Sequence, residues 1–138
     1  MVGVSLGTGI AAEMAAEAAS RPDVWPPAVK PRALILLSPY VSITEMAAMR
    51  YPIFPVRLLT KDRFETRAKM GALRLPVLVA HGEIDDLIPF AQGKAVYDAA
   101  PAPKRFVALK NTGHNFPSQA ILPEVEAFLA GLPAGLVD

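Results

Sequence analysis

The sequence predicts an α/β protein whose core is a parallel sheet of about four strands, one of them a stub, flanked by helices. Three observations carry this prediction. Residues 33–38, 77–81 and 105–109 are short apolar runs without polar alternation, the pattern of strands buried on both faces. Stretches with helical spacing separate or follow them. Strand and helix therefore alternate, which calls for parallel strands joined by right-handed crossovers.

The elements follow in order. Residues 1–4 are a strand stub ahead of Gly3-Val4-Ser5-Leu6-Gly7. From Thr8 to Ala19 the chain is an Ala-rich helix former, with Ile10 and Met14 on one face and Glu13 and Glu17 on another. This helix is expected to end near Ser20-Arg21-Pro22, because proline cannot continue it. Asp23 to Arg32 carries Pro26, Pro27 and Pro31 and reads as a loop. The run 33–38 is stopped by Pro39. Residues 39–75 hold no strand run and are too long for an ordinary connection. Short helical pieces are expected near 44–49 and 66–73, among Tyr40, Tyr51, Phe54 and Phe64. Two accounts fit this region: helices packing on the sheet, or a small cap over an active site. The run 77–81 opens after Pro76 and closes at Gly82. A helix over 91–100 is ended by Pro101 and Pro103, and leads into the run 105–109. In the last helix, over 123–130, Val125, Phe128 and Leu129 share a face and Pro123 suits the first turn.

The bulk numbers exclude several functions. At 138 residues the chain is one domain's worth. With 52% apolar and 20% charged residues it is neither disordered nor membrane-spanning. A net charge of +1, with both signs mixed along the chain, leaves no nucleic-acid footprint. The absence of cysteine removes disulfides, thiolate metal sites and a cysteine nucleophile. No basic-then-apolar leader with a cleavage site is seen, so a cytoplasmic location is expected.

Residues 3–7 fit the G-x-S-x-G pattern of a nucleophile elbow. A serine hydroxyl attacks at neutral pH only when a base takes its proton and its oxygen is held clear of the backbone. A tight strand-to-helix turn does the second, and glycines at 3 and 7 are expected to relieve the crowding there. The helix that follows points free N–H groups back at the turn, so the Leu6 N–H can hold a developing oxyanion. The base must be one of two histidines. His114 sits in a polar loop past the third apolar run, at the carboxyl end where open α/β sheets carry their functional loops. His81 ends an apolar strand and reads as structural, hydrogen-bonding a neighbouring loop. The acid that orients the base is expected from the loop after 77–81, which offers Glu83, Asp85 and Asp86; local chemistry does not choose among them.

Gly3-x-Ser5-x-Gly7, then His81-Gly82-x-x-Asp85-x-x-Ile88-Pro89, then Gly113-His114-Asn115 resemble the α/β-hydrolase superfamily in all three signature places. The chain is most similar to the peptidase- and esterase-like branch that includes the Bem46-type hydrolases. The resemblance implies Ser5 as nucleophile, His114 as base and Asp85 rather than Asp86 as acid. It also implies a strand order in which the stub pairs with 33–38, followed outward by 77–81 and 105–109. The function implied is cleavage of a carboxylic ester, thioester or amide in a small-molecule or acylated substrate, through an acyl-enzyme and without metal or organic cofactor. Tyr40 and Phe54 are expected to line the acyl side of the pocket. Family members carry an N-terminal half before the elbow, including a loop that gives a second oxyanion donor. The resemblance covers only the C-terminal half of such a domain, so impaired turnover and self-association through the exposed sheet edge are expected. The alternative is a non-catalytic fragment or binding module with a relict triad.

Overall fold

A computed structural model of the chain describes residues 1–21, 23–26, 30–53, 55 and 64–133. Four strands, β1 (Val2–Val4), β2 (Leu34–Leu37), β3 (Val77–Gly82) and β4 (Lys104–Leu109), form one sheet in the order β1-β2-β3-β4. All three pairings are parallel, in the order the resemblance implies. Among the described residues five α-helices accompany them: α1 (Gly7–Ser20), α2 (Ile43–Arg50), α3 (Thr66–Met70), α4 (Phe90–Ala99) and α5 (Leu122–Ala130). Pro22, expected to stop α1, lies outside the described residues; α1 does end at Ser20.

Of the three runs that lack alternation, β2 and β3 are buried on both faces, whereas β4, at the edge of the sheet, is only partly covered, which corrects the expectation for 105–109. On one face Leu34, Leu36, Val77 and Val79 pack against Ala11, Ala12 and Ala15 of α1, Met70 of α3 and Val96 of α4. On the other, Ile35, Leu37, Leu78 and Ala80 meet Ile121, Phe128 and Leu132 at and around α5. Helices α1 and α5 thus occupy opposite layers.

α1 buries Ala11, Ala12, Ala15 and Ala18, together with Thr8 and Gly9, while Ile10 and Met14 stand exposed. Small side chains let the helix lie close on the sheet, so the larger pair is turned outward. The described part of 39–75 contains the helices α2 and α3. Ser42 caps α2 by accepting the Glu45 N–H at 3.1 Å. α3 packs against α1 and α4, buries Met70 completely, and pairs Lys69 with Glu13 of α1 at 2.6 Å.

Candidate active site

The elbow is built by close packing and one unusual backbone conformation. Ser5 has φ 50°, in the left-handed region that non-glycine residues seldom adopt. Its N–H donates to the Leu37 carbonyl at 2.9 Å, which extends the β1–β2 ladder to the nucleophile. Its carbonyl accepts from the Thr8 N–H at 2.9 Å and the Thr8 hydroxyl at 2.6 Å, fixing the turn from the helix side.

The two flanking glycines are not equivalent. A Cβ on Gly3 would lie 2.8 Å from Ala11 Cβ, the Gly7 carbonyl and Thr8 Cα, so the strand can pass under α1 only without a side chain. A Cβ on Gly7 would meet nothing within 4 Å, and no glycine has positive φ among the described residues. The expectation that both glycines relieve crowding is corrected: Gly3 does, and Gly7 stands in open space.

Ser5 Oγ lies 2.9 Å from His114 Nε2, and His114 Nδ1 lies 2.9 Å from Asp85 Oδ2. The three groups come from β1's end, the loop after β3 and the loop after β4, all at the carboxyl end of the sheet. Asp85 is the carboxylate that faces His114. Asp86 is exposed and borders a separate groove with Met46, Met49, Arg50, Leu87 and Pro89.

Electrostatics fixes the protons. Burial pushes the Asp85 carboxyl up, but the Ile88 N–H, His114 and the Leu87 N–H outweigh it and hold the group below the usual aspartate range. The backbone donors reach Asp85 Oδ1 at 2.8 Å from Ile88 and 3.0 Å from Leu87. An ionised Asp85 can only accept, so His114 carries its proton on Nδ1 and leaves Nε2 as acceptor for the Ser5 hydroxyl. Sequence reasoning did not identify these two donors. The signal was present, because an aspartate accepting N–H groups two and three residues on is ordinary turn chemistry.

A cleft of about 340 Å³ opens over Ser5 and His114, walled by Val4, Leu37, Phe116 and Pro117. Its aromatic wall is Phe116, two residues past His114, which sequence reasoning passed over in favour of 39–75. Tyr40, expected on the acyl side, is completely buried, and its hydroxyl donates to the Leu6 carbonyl at 3.3 Å. A residue with no accessible surface cannot line a cleft, so Tyr40 buttresses the elbow helix instead. Phe54 lies outside the described residues. Leu6 has helical dihedrals and immediately precedes α1, where N–H groups have no acceptor within the helix. Among the described residues no group of three or more His, Asp or Glu is placed to hold a metal. No described helix is long and apolar enough to cross a membrane.

No family model matches the chain. It is 34% identical over 131 residues to an uncharacterized protein of Mycobacterium tuberculosis, covering 92% of this chain and 43% of that protein. To the lysophosphatidylserine lipase ABHD12 of Danio rerio it is 33% identical over 115 residues, 74% of this chain and 28% of the lipase. It therefore spans less than half the length of these relatives. Among solved structures, the esterase domain of a Rhodothermus marinus protein superposes with a TM-score of 0.60 at 21% identity, over 94% of this chain and 57% of that one. An acetyl xylan esterase from Paenibacillus sp. R4 gives 0.68 at 15% identity, over 94% and 44%. With its parallel sheet, its strand-to-helix elbow and these relatives, the chain belongs to the α/β-hydrolase superfamily.

Proposed function

We propose that the chain carries the catalytic machinery of a serine hydrolase that cleaves a carboxylic ester, thioester or amide through an acyl-enzyme. The observation that carries this reading is the unbroken hydrogen-bonded line from Ser5 Oγ through His114 to Asp85, with both links at 2.9 Å. Ser5 Oγ attacks the substrate carbonyl carbon as His114 Nε2 takes its proton. The carbonyl oxygen becomes an oxyanion, held by the Leu6 N–H. The tetrahedral centre collapses with loss of the alcohol, thiol or amine, which receives the proton from His114. Water then repeats the sequence: His114 takes its proton, the acid is released, and Ser5 recovers its hydrogen.

The cleft can take an acyl group with an apolar body against Val4, Leu37, Phe116 and Pro117 and a polar end near Asn115 and Ser118. The named relatives and structural neighbours include a lipase and esterases, which supports an ester over an amide. We assign one oxyanion donor, Leu6. Loss of one such donor lowers turnover by roughly 10²–10³, so the 138-residue chain alone is expected to be a slow enzyme. The test is acid quenching of the chain during reaction with a nitrophenyl ester, followed by mass mapping. An acyl group on Ser5 that is absent from His114→Ala supports the reading. A chain that never acquires the acyl group favours a binding module with a relict triad.

A further inference from the structure

The second histidine has more to do than fill the core. His81 lies near the end of β3, on the face covered by α4, and is completely buried. Its Nε2 stands 2.8 Å from the Ile88 carbonyl and 3.3 Å from Asp85 Oδ2, the oxygen that also contacts His114. Its Nδ1 has no hydrogen-bond partner among the described residues. The ring is gripped from α4: a Cβ on Gly93 would fall 2.2 Å from Nδ1, and Phe90 meets the ring edge-on at 5.9 Å.

These contacts define the proton. The Ile88 carbonyl and the Asp85 carboxylate both only accept, so Nε2 carries the hydrogen; it donates to the Ile88 carbonyl at 2.8 Å, with Asp85 Oδ2 in electrostatic contact at 3.3 Å. A second proton on Nδ1 would be a buried donor with no acceptor among the described residues, which favours the neutral ring. Burial acts the same way, holding the His81 imidazole below the usual histidine range despite the Ile88 and Asp85 contacts that raise it. Among charged and titratable groups, Asp85 and His114 act on it, while α4 presents the uncharged Phe90 and Gly93.

We propose that His81 is a positioning residue for the acid: its Nε2–H holds the Ile88 carbonyl, and with it the 85–88 turn whose Ile88 N–H grips Asp85 Oδ1, while Nε2 lies 3.3 Å from Asp85 Oδ2, so that the carboxylate is aimed at His114. This rests on the hydrolase reading for its effect on turnover, but not for its geometry. Each Asp85 oxygen then has two donors facing it: Ile88 and Leu87 at Oδ1, and His114 and His81 at Oδ2. The carboxylate cannot turn about its own axis without breaking contacts at both oxygens. A salt bridge would add charge to the triad; a neutral donor adds only direction.

The experiment compares His81→Gln, whose amide places an N–H near the position of Nε2, with His81→Phe, which keeps a ring but no donor. Nitrogen-15 NMR of the unmutated chain is read alongside, so the idea is tested even if a variant fails to fold. His81 is expected to titrate below the ordinary histidine range near 6.5, its neutral form carrying the hydrogen on Nε2. His81→Phe should lower kcat about tenfold or more with KM within about twofold, and should displace the His114 Nδ1–H resonance. His81→Gln should restore both to near the unmutated values. The inference is overturned if His81 titrates in that range, if its proton sits on Nδ1, or if the Gln and Phe variants lose kcat equally with the resonance unmoved. Absence of any Ser5 acylation in the unmutated chain would sink the hydrolase reading separately, and the NMR results would still decide how His81 holds Asp85.

Discussion

At the scale of single residues, each member of the line has a different burden and so a different expected loss. In the proposed reaction Ser5 and His114 exchange the proton, so Ser5→Ala and His114→Ala should each remove nearly all triad-dependent turnover. Because they act as a unit, the double variant should be little worse than either alone. Asp85→Asn keeps the shape but allows His114 the wrong tautomer, with an expected loss of about 10⁴ in kcat. Asp86→Asn should leave kcat within about threefold, since Asp86 is exposed on the bank of a separate groove. Steady-state rates with a nitrophenyl ester check all four; a crippling Asp86→Asn would reverse the choice of acid. Asp85 could be told from Asp86 in the sequence only through the family pattern. What separates them physically is which carboxylate the Ile88 and Leu87 N–H groups reach, and that depends on a turn the sequence does not specify by itself.

At the scale of elements, close approaches decide where substitution hurts. Gly3→Ala drives a Cβ to 2.8 Å from three atoms at the β1–α1 contact, and overpacking of this kind costs about 1–3 kcal/mol. Gly7→Ala meets nothing and should be neutral or stabilising by a few tenths of a kcal/mol, up to about 1 kcal/mol. Thermal unfolding of the two variants separates them, and equal losses would contradict the elbow packing described here. The β3–α4 connection also sets the response to acid. His81 and Asp85 both bind a proton at lower pH in the folded chain than when unfolded, so the unfolded state takes up protons first and stability falls as pH falls. The His81 part is fully present above about pH 6.5 and fades below it, and the Asp85 part is lost only below the ordinary aspartate range. Urea midpoints measured against pH should fall less steeply below about pH 6.5 in His81→Gln; an unchanged slope would mean that His81 does not titrate on unfolding. Element positions were legible in the sequence because β2 and β3 lack alternation and prolines mark their starts and stops. The outward turn of Ile10 and Met14 was not, since periodicity names a face and not the one that a sheet accepts; here the alanine face fits closer.

At the scale of the molecule, the sheet is unevenly covered. Val2 and Val4 share the α5 face with Ile35 and Leu37 by register, yet they are 60% and 58% exposed. The β1 edge has no strand on its outer side among the described residues, and such edges are templates for association. Leu6, Ile10 and Met14 add to the exposed apolar surface. The chain is expected to sediment with a concentration-dependent mass, and Val2→Lys with Val4→Lys should reduce that dependence; a monodisperse unmutated chain would contradict it. The strand order and carboxyl-end site followed from the three motifs taken together. The cleft wall did not, because Phe116 reaches it from the loop that delivers His114, while Tyr40 from the aromatic-rich region is buried beneath the elbow.

The central claim is that Ser5 is activated through His114 and Asp85, and reaction with a fluorophosphonate tests it most directly. The account predicts one phosphonyl group, mapped to Ser5, formed far faster than on any other serine. The same rate should persist in Asp86→Asn and be nearly abolished in His114→Ala. Labelling of Ser5 no faster than the chain's other serines, or at a rate indifferent to His114→Ala, would contradict the account.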